Sequence, residues 1–169
     1  MTGASRPRTV HRMSIGKGEI APDFEHPDQD GTPRRLSELV ADGPVVLFFY
    51  PGAMTKGCTA EACHFRDLAA EYRGAGVQRV GISRDPVAKQ KEFAETYGFD
   101  YPLLSDPEST TIAAYGVKRK LALGPLTTKR MTFVIGADRT VLEVIHSEMD
   151  MHQHAAQALH VAKTAGDRQ

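Results

Sequence analysis

The chain has 169 residues, a length typical of one domain with a sizeable core, and its 21 lysine and arginine residues balance 21 aspartate and glutamate residues. The formal net charge of zero provides no overall field toward nucleic acid or an anionic membrane, so small molecules and other proteins are the expected partners. Two cysteines are too few to staple a chain of this length, and the first residues lack the apolar run of a secretory signal, so we expect a reducing, cytoplasmic location. The longest apolar run, residues 45–50, is far shorter than the roughly 18 residues that indicate a membrane span.

The first residues differ in composition from the rest of the chain. Residues 1–17 are basic and carry almost no apolar side chains, so burial offers little to offset the entropy of ordering them. We predict a disordered basic tail over residues 1–17, followed by one domain over residues 18–169.

The predicted domain begins with a hairpin and a buried strand. The turn residues Asp28-Gln29-Asp30-Gly31 separate residues 24–27 from residues 32–35, which predicts a short β-hairpin. Residues 45–50 are apolar without alternation, which is typical of a central strand buried on both faces.

Helices and strands then alternate along the chain. An apolar stripe at helical spacing predicts a helix that starts at Cys58 and is ended by two glycines; its members are Cys58, Ala62, Phe65, Ala69 and Tyr72. The remaining predicted elements are a strand at 77–83, a helix capped by Asp85-Pro86, a short edge strand at 103–104, a helix opened by Asp106-Pro107, an irregular loop at 117–129, a hairpin of strands 131–135 and 140–146, and a helix at 151–163. This order predicts a mixed-sheet α/β sandwich.

The segment with the clearest chemistry runs from the end of the buried strand into the first long helix. Open α/β sheets place their active sites at the carboxyl ends of strands, and Cys58 lies there, near the start of a helix. Unpaired amide hydrogens and the positive end of the helix dipole favour the thiolate form, which is the nucleophilic one. Lys56 adds positive charge nearby, and Thr55 offers a hydroxyl to an oxygen-containing substrate.

Cys63 follows Cys58 by five residues. On a regular helix this spacing places the two Cα atoms about 8–9 Å apart, beyond the limit of about 7 Å for a disulfide without backbone movement. A disulfide between them therefore requires the first turns of the helix to unwind.

The sequence resembles a known family in this segment. Pro51, Thr55 and Cys58 match the Pro-x-x-x-Thr-x-x-Cys motif of the peroxiredoxins, and Cys63 followed by His64-Phe65-Arg66-Asp67 is similar to the bacterioferritin-comigratory, or PrxQ, branch. The resemblance implies a thioredoxin-like fold, with a central mixed sheet flanked by helices and an extra N-terminal hairpin. It also implies reduction of hydrogen peroxide and organic hydroperoxides, recycling by thioredoxin or a similar dithiol, and a monomer or weak homodimer without a cofactor.

The same resemblance implies a role for each site residue. Cys58 is the cysteine oxidised by the peroxide, Cys63 resolves it, Thr55 binds the peroxide and Pro51 shields the pocket. The family's arginine maps onto Arg130, just before the strand at 131–135, where it would polarise the peroxide and hold the thiolate. The neighbouring Lys129 leaves this assignment open to one alternative.

Other interpretations of these residues are available. A cysteine in an apolar stripe is usually a small buried hydrophobic residue, Thr55 could be an ordinary helix N-cap, and Cys63 could be a partly exposed thiol without a role. Two other functions fit the cysteines: a general thiol–disulfide oxidoreductase, which prefers Cys-x-x-Cys spacing, and a redox switch in which oxidation unwinds the helix. The histidines His152 and His154 do not predict a metal site, because an i, i+2 pair points to different faces of a helix.

Overall fold

The computed structural model describes residues 14–119 and 127–166. Within these ranges the strands are β1 (Glu25–Pro27), β2 (Pro33–Arg35), β3 (Val45–Phe49), β4 (Gln78–Ser83), β5 (Leu103–Ser105), β6 (Met131–Ile135) and β7 (Val141–His146). The helices in the same ranges are α1 (Leu36–Leu39), α2 (Lys56–Asp67), α3 (Ala69–Gly74), α4 (Val87–Tyr97), α5 (Thr110–Ala114) and α6 (Met151–Gly166), with a 3-10 turn at Val40–Asp42.

Five strands form one mixed sheet in the order β5-β4-β3-β6-β7, and β1 and β2 form a separate antiparallel pair. Strand β3 lies at the centre, parallel to β4 and antiparallel to β6, and all five of its residues are buried. An unbroken apolar run predicts this position, because both faces of a central strand are covered. The predicted N-terminal hairpin, the edge strand β5 and the closing hairpin of β6 and β7 are confirmed.

The two faces of the sheet carry separate hydrophobic cores. Val46 and Phe48 of β3 lie in a cluster covered by α2, α3, α4 and α6, whereas Leu47 and Phe49 lie in a second cluster covered by α1 and α5. Side chains alternate between faces along a strand, which explains this division. Cys58 belongs to the first cluster, so the candidate site lies on that face, beyond the carboxyl end of β3.

The long helix predicted to start at Cys58 is in fact two helices, α2 and α3, which meet at Leu68 (φ −92°, ψ 18°). In a continuous helix the Phe65 carbonyl would accept a hydrogen bond from the Ala69 amide. It accepts one from Arg79 Nη1 instead, at 2.9 Å. The break thus depends on a side chain from β4, which local periodicity does not reveal.

The ends of several predicted segments differ from the structure or lie outside it. No periodic pattern predicts α1 or the 3-10 turn, because both are shorter than two helical turns. Ile15, inside the predicted tail, donates its amide to the Tyr115 carbonyl at 3.2 Å and packs against the second core cluster. Residues 1–13 and most of the loop predicted at 117–129 lie outside the described ranges. The division into a tail and one domain stays a prediction.

Candidate active site

Polar side chains at the end of β4 and just after it anchor the loop between β3 and α2. The Ala53 amide donates to Asp85 Oδ2 at 2.7 Å, and the Ser83 hydroxyl donates to the same oxygen at 2.6 Å. Gln90 of α4 donates to the Ser83 hydroxyl at 2.9 Å and accepts from the Tyr50 hydroxyl at the end of β3. The prediction that Asp85-Pro86 caps α4 is therefore wrong in one respect: Pro86 occupies the N-cap position, but the Asp85 carboxylate supports the cysteine loop instead.

Cys58 lies in the first turn of α2 and is 1% exposed. The first amide hydrogens of a helix have no carbonyl partner within it, so Cys58 lies in the part of α2 that favours a thiolate. Thr55 occupies the N-cap position, yet its hydroxyl makes no hydrogen bond to the helix amides and donates to the Gly52 carbonyl at 2.8 Å. Because this hydroxyl uses its hydrogen on Gly52, its oxygen can accept a hydrogen bond from a substrate at the exposed face of the loop.

Arg130, the residue immediately before β6, extends its side chain to Cys58. Its Nη2 donates to Cys58 Sγ at 3.4 Å, and the side chain is buried. The Arg130 amide donates to Glu148 Oε1 at 3.3 Å, and Glu148 pairs with Arg119 at 2.9 Å. Of the two basic neighbours considered from the sequence, the structure places the guanidinium of Arg130 against the sulfur.

Glu61 is the residue at this site that the sequence analysis missed. It lies one helical turn after Cys58, is 0% exposed, and places Oε1 3.5 Å from Arg130 Nη1. Burial raises the pKa of Glu61 to about 8, although Arg130 opposes this shift. A carboxyl group three residues after a cysteine on the buried face of a helix was the signal that could have found it.

His154 of α6 closes the far side of the Glu61 carboxyl, with Nε2 3.7 Å from Oε2. The same Nε2 lies 2.8 Å from the Ser147 carbonyl, which can only accept, so this nitrogen carries the proton. Nδ1 lies 2.7 Å from the Thr132 hydroxyl, from which it accepts a hydrogen bond when the ring is neutral. Burial lowers the pKa of His154, which favours this neutral form.

Neighbouring His152 points elsewhere, with its ring 4.8 Å from that of His64. In residues 14–119 and 127–166, no group of three or more histidine, cysteine or carboxylate side chains is placed to hold a metal ion.

Cys63 lies on the same helix as Cys58, and both cysteines are free thiols. Cys63 is half-buried and packs against the first core cluster, and burial raises the pKa of its thiol. With both residues inside the regular helix α2, the geometric condition inferred from their spacing applies: a bridge between them needs the helix to unwind.

No helix in the described ranges combines the length and the apolar character needed to cross a bilayer.

The chain is similar in sequence to several known proteins. A model described as the AhpC/TSA family matches residues 17–144. A putative peroxiredoxin of Mycobacterium tuberculosis is 62% identical over 142 residues, which cover 84% of this chain and 92% of that protein. The chloroplastic peroxiredoxin Q of Triticum aestivum is 36% identical over 147 residues, which cover 87% of this chain and 66% of that protein.

Solved structures match over most of the chain as well. The crystal structure of Peroxidoxin BcpB from Mycobacterium tuberculosis has a TM-score of 0.84 and 59% identity, covering 89% of this chain and 97% of that chain. The bacterioferritin comigratory protein of Xanthomonas campestris has a TM-score of 0.80 and 27% identity, covering 89% of this chain and 99% of that chain. Together with the observed strand order, these matches confirm the predicted thioredoxin-like fold.

Proposed function

Because the chain belongs to the AhpC/TSA family, with relatives of the peroxiredoxin Q type, we propose that it reduces hydrogen peroxide and organic hydroperoxides with Cys58 as the nucleophile. The observation that carries this assignment is the hydrogen bond from Arg130 Nη2 to Cys58 Sγ at 3.4 Å, inside the first turn of α2. A buried guanidinium and a helix N-terminus both stabilise a thiolate at that point. The bacterioferritin comigratory protein of Xanthomonas campestris is described as having alkyl peroxide reduction activity, which supports the same substrate class here.

In the proposed first step the Cys58 thiolate attacks one peroxide oxygen. A sulfur–oxygen bond forms and the oxygen–oxygen bond breaks, so sulfur is oxidised to a sulfenic acid. The departing oxygen takes up a proton and leaves as water or an alcohol. Arg130 polarises the peroxide, Thr55 accepts a hydrogen bond from it, and the buried ring of Pro51 excludes water from the loop.

In the proposed second step the Cys63 thiol displaces the sulfenic oxygen as water and forms a disulfide with Cys58. The second half of α2 is anchored by donors outside the helix, because the Tyr101 hydroxyl binds the Ala62 carbonyl at 2.6 Å and Arg79 binds the Phe65 carbonyl at 2.9 Å. The first turn has exposed residues, and in the described ranges no donor outside the helix binds one of its carbonyls. We therefore expect the first turn to unwind and carry Cys58 to Cys63, rather than the reverse.

A dithiol reductant of the thioredoxin type would then reduce the disulfide and restore both thiols. Reduction of this kind requires a reducing compartment, so the proposal includes a cytoplasmic role in antioxidant defence and redox homeostasis. A monomer or weak homodimer stays a prediction.

The test is peroxide consumption driven by thioredoxin, its reductase and reduced nicotinamide. We expect many turnovers for the native protein, none for Cys58→Ser, and strongly reduced turnover for Cys63→Ser, which serves as the matched substitution on the same helix. Full turnover in Cys63→Ser would show that an external thiol resolves Cys58. Consumption of no more than one equivalent of peroxide with this and other dithiol donors would favour the redox switch instead.

A further inference from the structure

Arg130 lies between two acidic groups, and each of its terminal nitrogens faces one of them. Nη2 donates to Cys58 Sγ at 3.4 Å, and Nη1 lies 3.5 Å from Glu61 Oε1. A guanidinium carries one positive charge, so it can neutralise one of these groups but not both. If the thiol and the carboxyl were both ionised, the buried cluster would have a net negative charge.

The surroundings of Glu61 are poor for an anion. Its side chain is 0% exposed, and neither carboxylate oxygen has a hydrogen-bond partner among the described residues. A buried ion without hydrogen bonds is strongly disfavoured unless it is paired or takes up a proton. A neutral carboxylic acid avoids most of this penalty.

Among the residues that the structure describes, the other groups around Glu61 do not supply a second positive charge. On α6, His154 lies 3.7 Å away and donates Nε2–H to the Ser147 carbonyl, and burial lowers the pKa of the ring, which favours its neutral form. The carboxylate of Glu148, between β7 and α6, acts on Glu61 as a like charge. Tyr101, before β5, also interacts with Glu61, and it carries no positive charge. Arg130 is therefore the cation for which both acidic groups compete.

We propose that Glu61 and Cys58 share one proton across Arg130, so that near neutral pH Glu61 is a neutral acid while Cys58 is a thiolate. Glu61 is then a positioning residue, which leaves the full charge of Arg130 to the sulfur in the reactive state. The arrangement extends the proposed function, because it concerns the thiolate on which that function depends.

The charge balance holds through the oxidation step. Before reaction the thiolate is paired with Arg130 and Glu61 holds the proton. After reaction the sulfenic acid is neutral, the departing oxygen has taken up a proton, and Glu61 can release one and pair with Arg130. The cluster is neutral in both states, so oxidation leaves no uncompensated buried charge.

Infrared spectroscopy tests the proposal without requiring peroxidase activity. The carbonyl stretch of a protonated carboxylic acid, assigned by its absence in Glu61→Gln, should persist in the native protein at neutral pH and disappear only at about pH 8 or above. In Cys58→Ser the competing anion is gone, so the band should disappear at a pH lower by roughly one unit or more. Cys63→Ser, the matched control, should behave as the native protein does. An unchanged midpoint in Cys58→Ser, or no acid band in the native protein at neutral pH, would overturn the proposal.

A kinetic measurement provides the second readout. With Cys63→Ser as background, the single-turnover rate of Cys58 oxidation by hydrogen peroxide is compared between Glu61 and Glu61→Gln from acidic to alkaline pH. The two rates should agree within about threefold near neutral pH and diverge above pH 8, where ionised Glu61 competes for Arg130. The exposed substitution Glu71→Gln should leave the profile unchanged.

Parallel profiles, lower for Glu61→Gln at every pH, would mean that Glu61 is a permanent anion that only orients Arg130, and the proposal would fail. If the protein proved not to be a peroxidase, the kinetic experiment would show no oxidation in either variant, whereas the infrared result would still decide the proton sharing.

Discussion

Gly57 lies directly against the guanidinium of Arg130: a Cβ atom at residue 57 would stand 3.1 Å from Arg130 Nη2, the nitrogen that donates to Cys58. The same Cβ would stand 3.1 Å from Met151 Cε of α6. The residue immediately before the cysteine thus has to be small, because any side chain would occupy the space that the arginine needs to reach the sulfur.

We predict that Gly57→Ala slows the oxidation of Cys58 by roughly tenfold, because small displacements of a group that acts on the reacting atoms carry large rate penalties. Stopped-flow measurement of a single turnover with hydrogen peroxide checks this. Alanine is favoured over glycine in a helix by about 1 kcal/mol, so the loss should not come with unfolding. The control is Gly74→Ala in α3, where a Cβ would meet nothing within 4 Å. Equal rates in both variants would show that Arg130 adapts without consequence.

Asp85 should be essential for the shape of the cysteine loop. Asp85→Ala leaves the Ala53 amide and the Ser83 hydroxyl without their shared acceptor, so we expect a loss of about 1–3 kcal/mol in the free energy of unfolding. We also expect slower oxidation of Cys58, because the loop positions the start of α2. Urea unfolding and single-turnover kinetics measure the two effects. Asp30→Ala, an exposed substitution in the β1–β2 turn, should change neither.

The two halves of α2 should differ in local stability. Hydrogen exchange in the reduced protein should be faster over residues 56–60 than over residues 62–66, because the outside donors found among the described residues bind carbonyls of the second half. Tyr101→Phe removes the donor to the Ala62 carbonyl and should speed exchange over residues 62–66. Tyr97→Phe is the matched control, since no described residue makes a hydrogen bond with the Tyr97 hydroxyl. Uniform exchange along α2 would contradict the proposed direction of unwinding.

Glu61 should also make folding stability depend on pH. Its pKa is raised from 4.5 to about 8 in the folded protein, so the folded state holds a proton that the unfolded state has released between these values. The contribution of Glu61 to the free energy of unfolding is therefore most favourable below about pH 4.5. It becomes steadily less favourable as pH rises toward 8 and is constant above that. Between pH 5 and pH 8, the melting temperature of the native protein should fall relative to that of Glu61→Gln.

The difference between the two proteins is the quantity to follow, because other groups titrate in both. A difference that does not change with pH would show that Glu61 is ionised to the same extent in the folded and unfolded states.

The central strand, the alternation of helices and strands, and the place of Cys58 at the start of a helix could all be predicted from the sequence. These follow from apolar runs, helical periodicity and turn residues, all of which are local and are written in consecutive residues. The family resemblance added roles for Thr55 and Cys63 and pointed to Arg130, which the structure brings to the sulfur across 72 residues of sequence.

Other features could not be predicted from local patterns, because they depend on contacts between distant segments. The break at Leu68 depends on a donor from β4, and the support of the cysteine loop depends on Asp85 rather than on a helix cap. Glu61 is an ordinary helical glutamate in the sequence. Its position opposite Arg130, out of contact with water, exists only after β6 and α6 pack against α2. Burial then decides whether Glu61 or Cys58 keeps the proton.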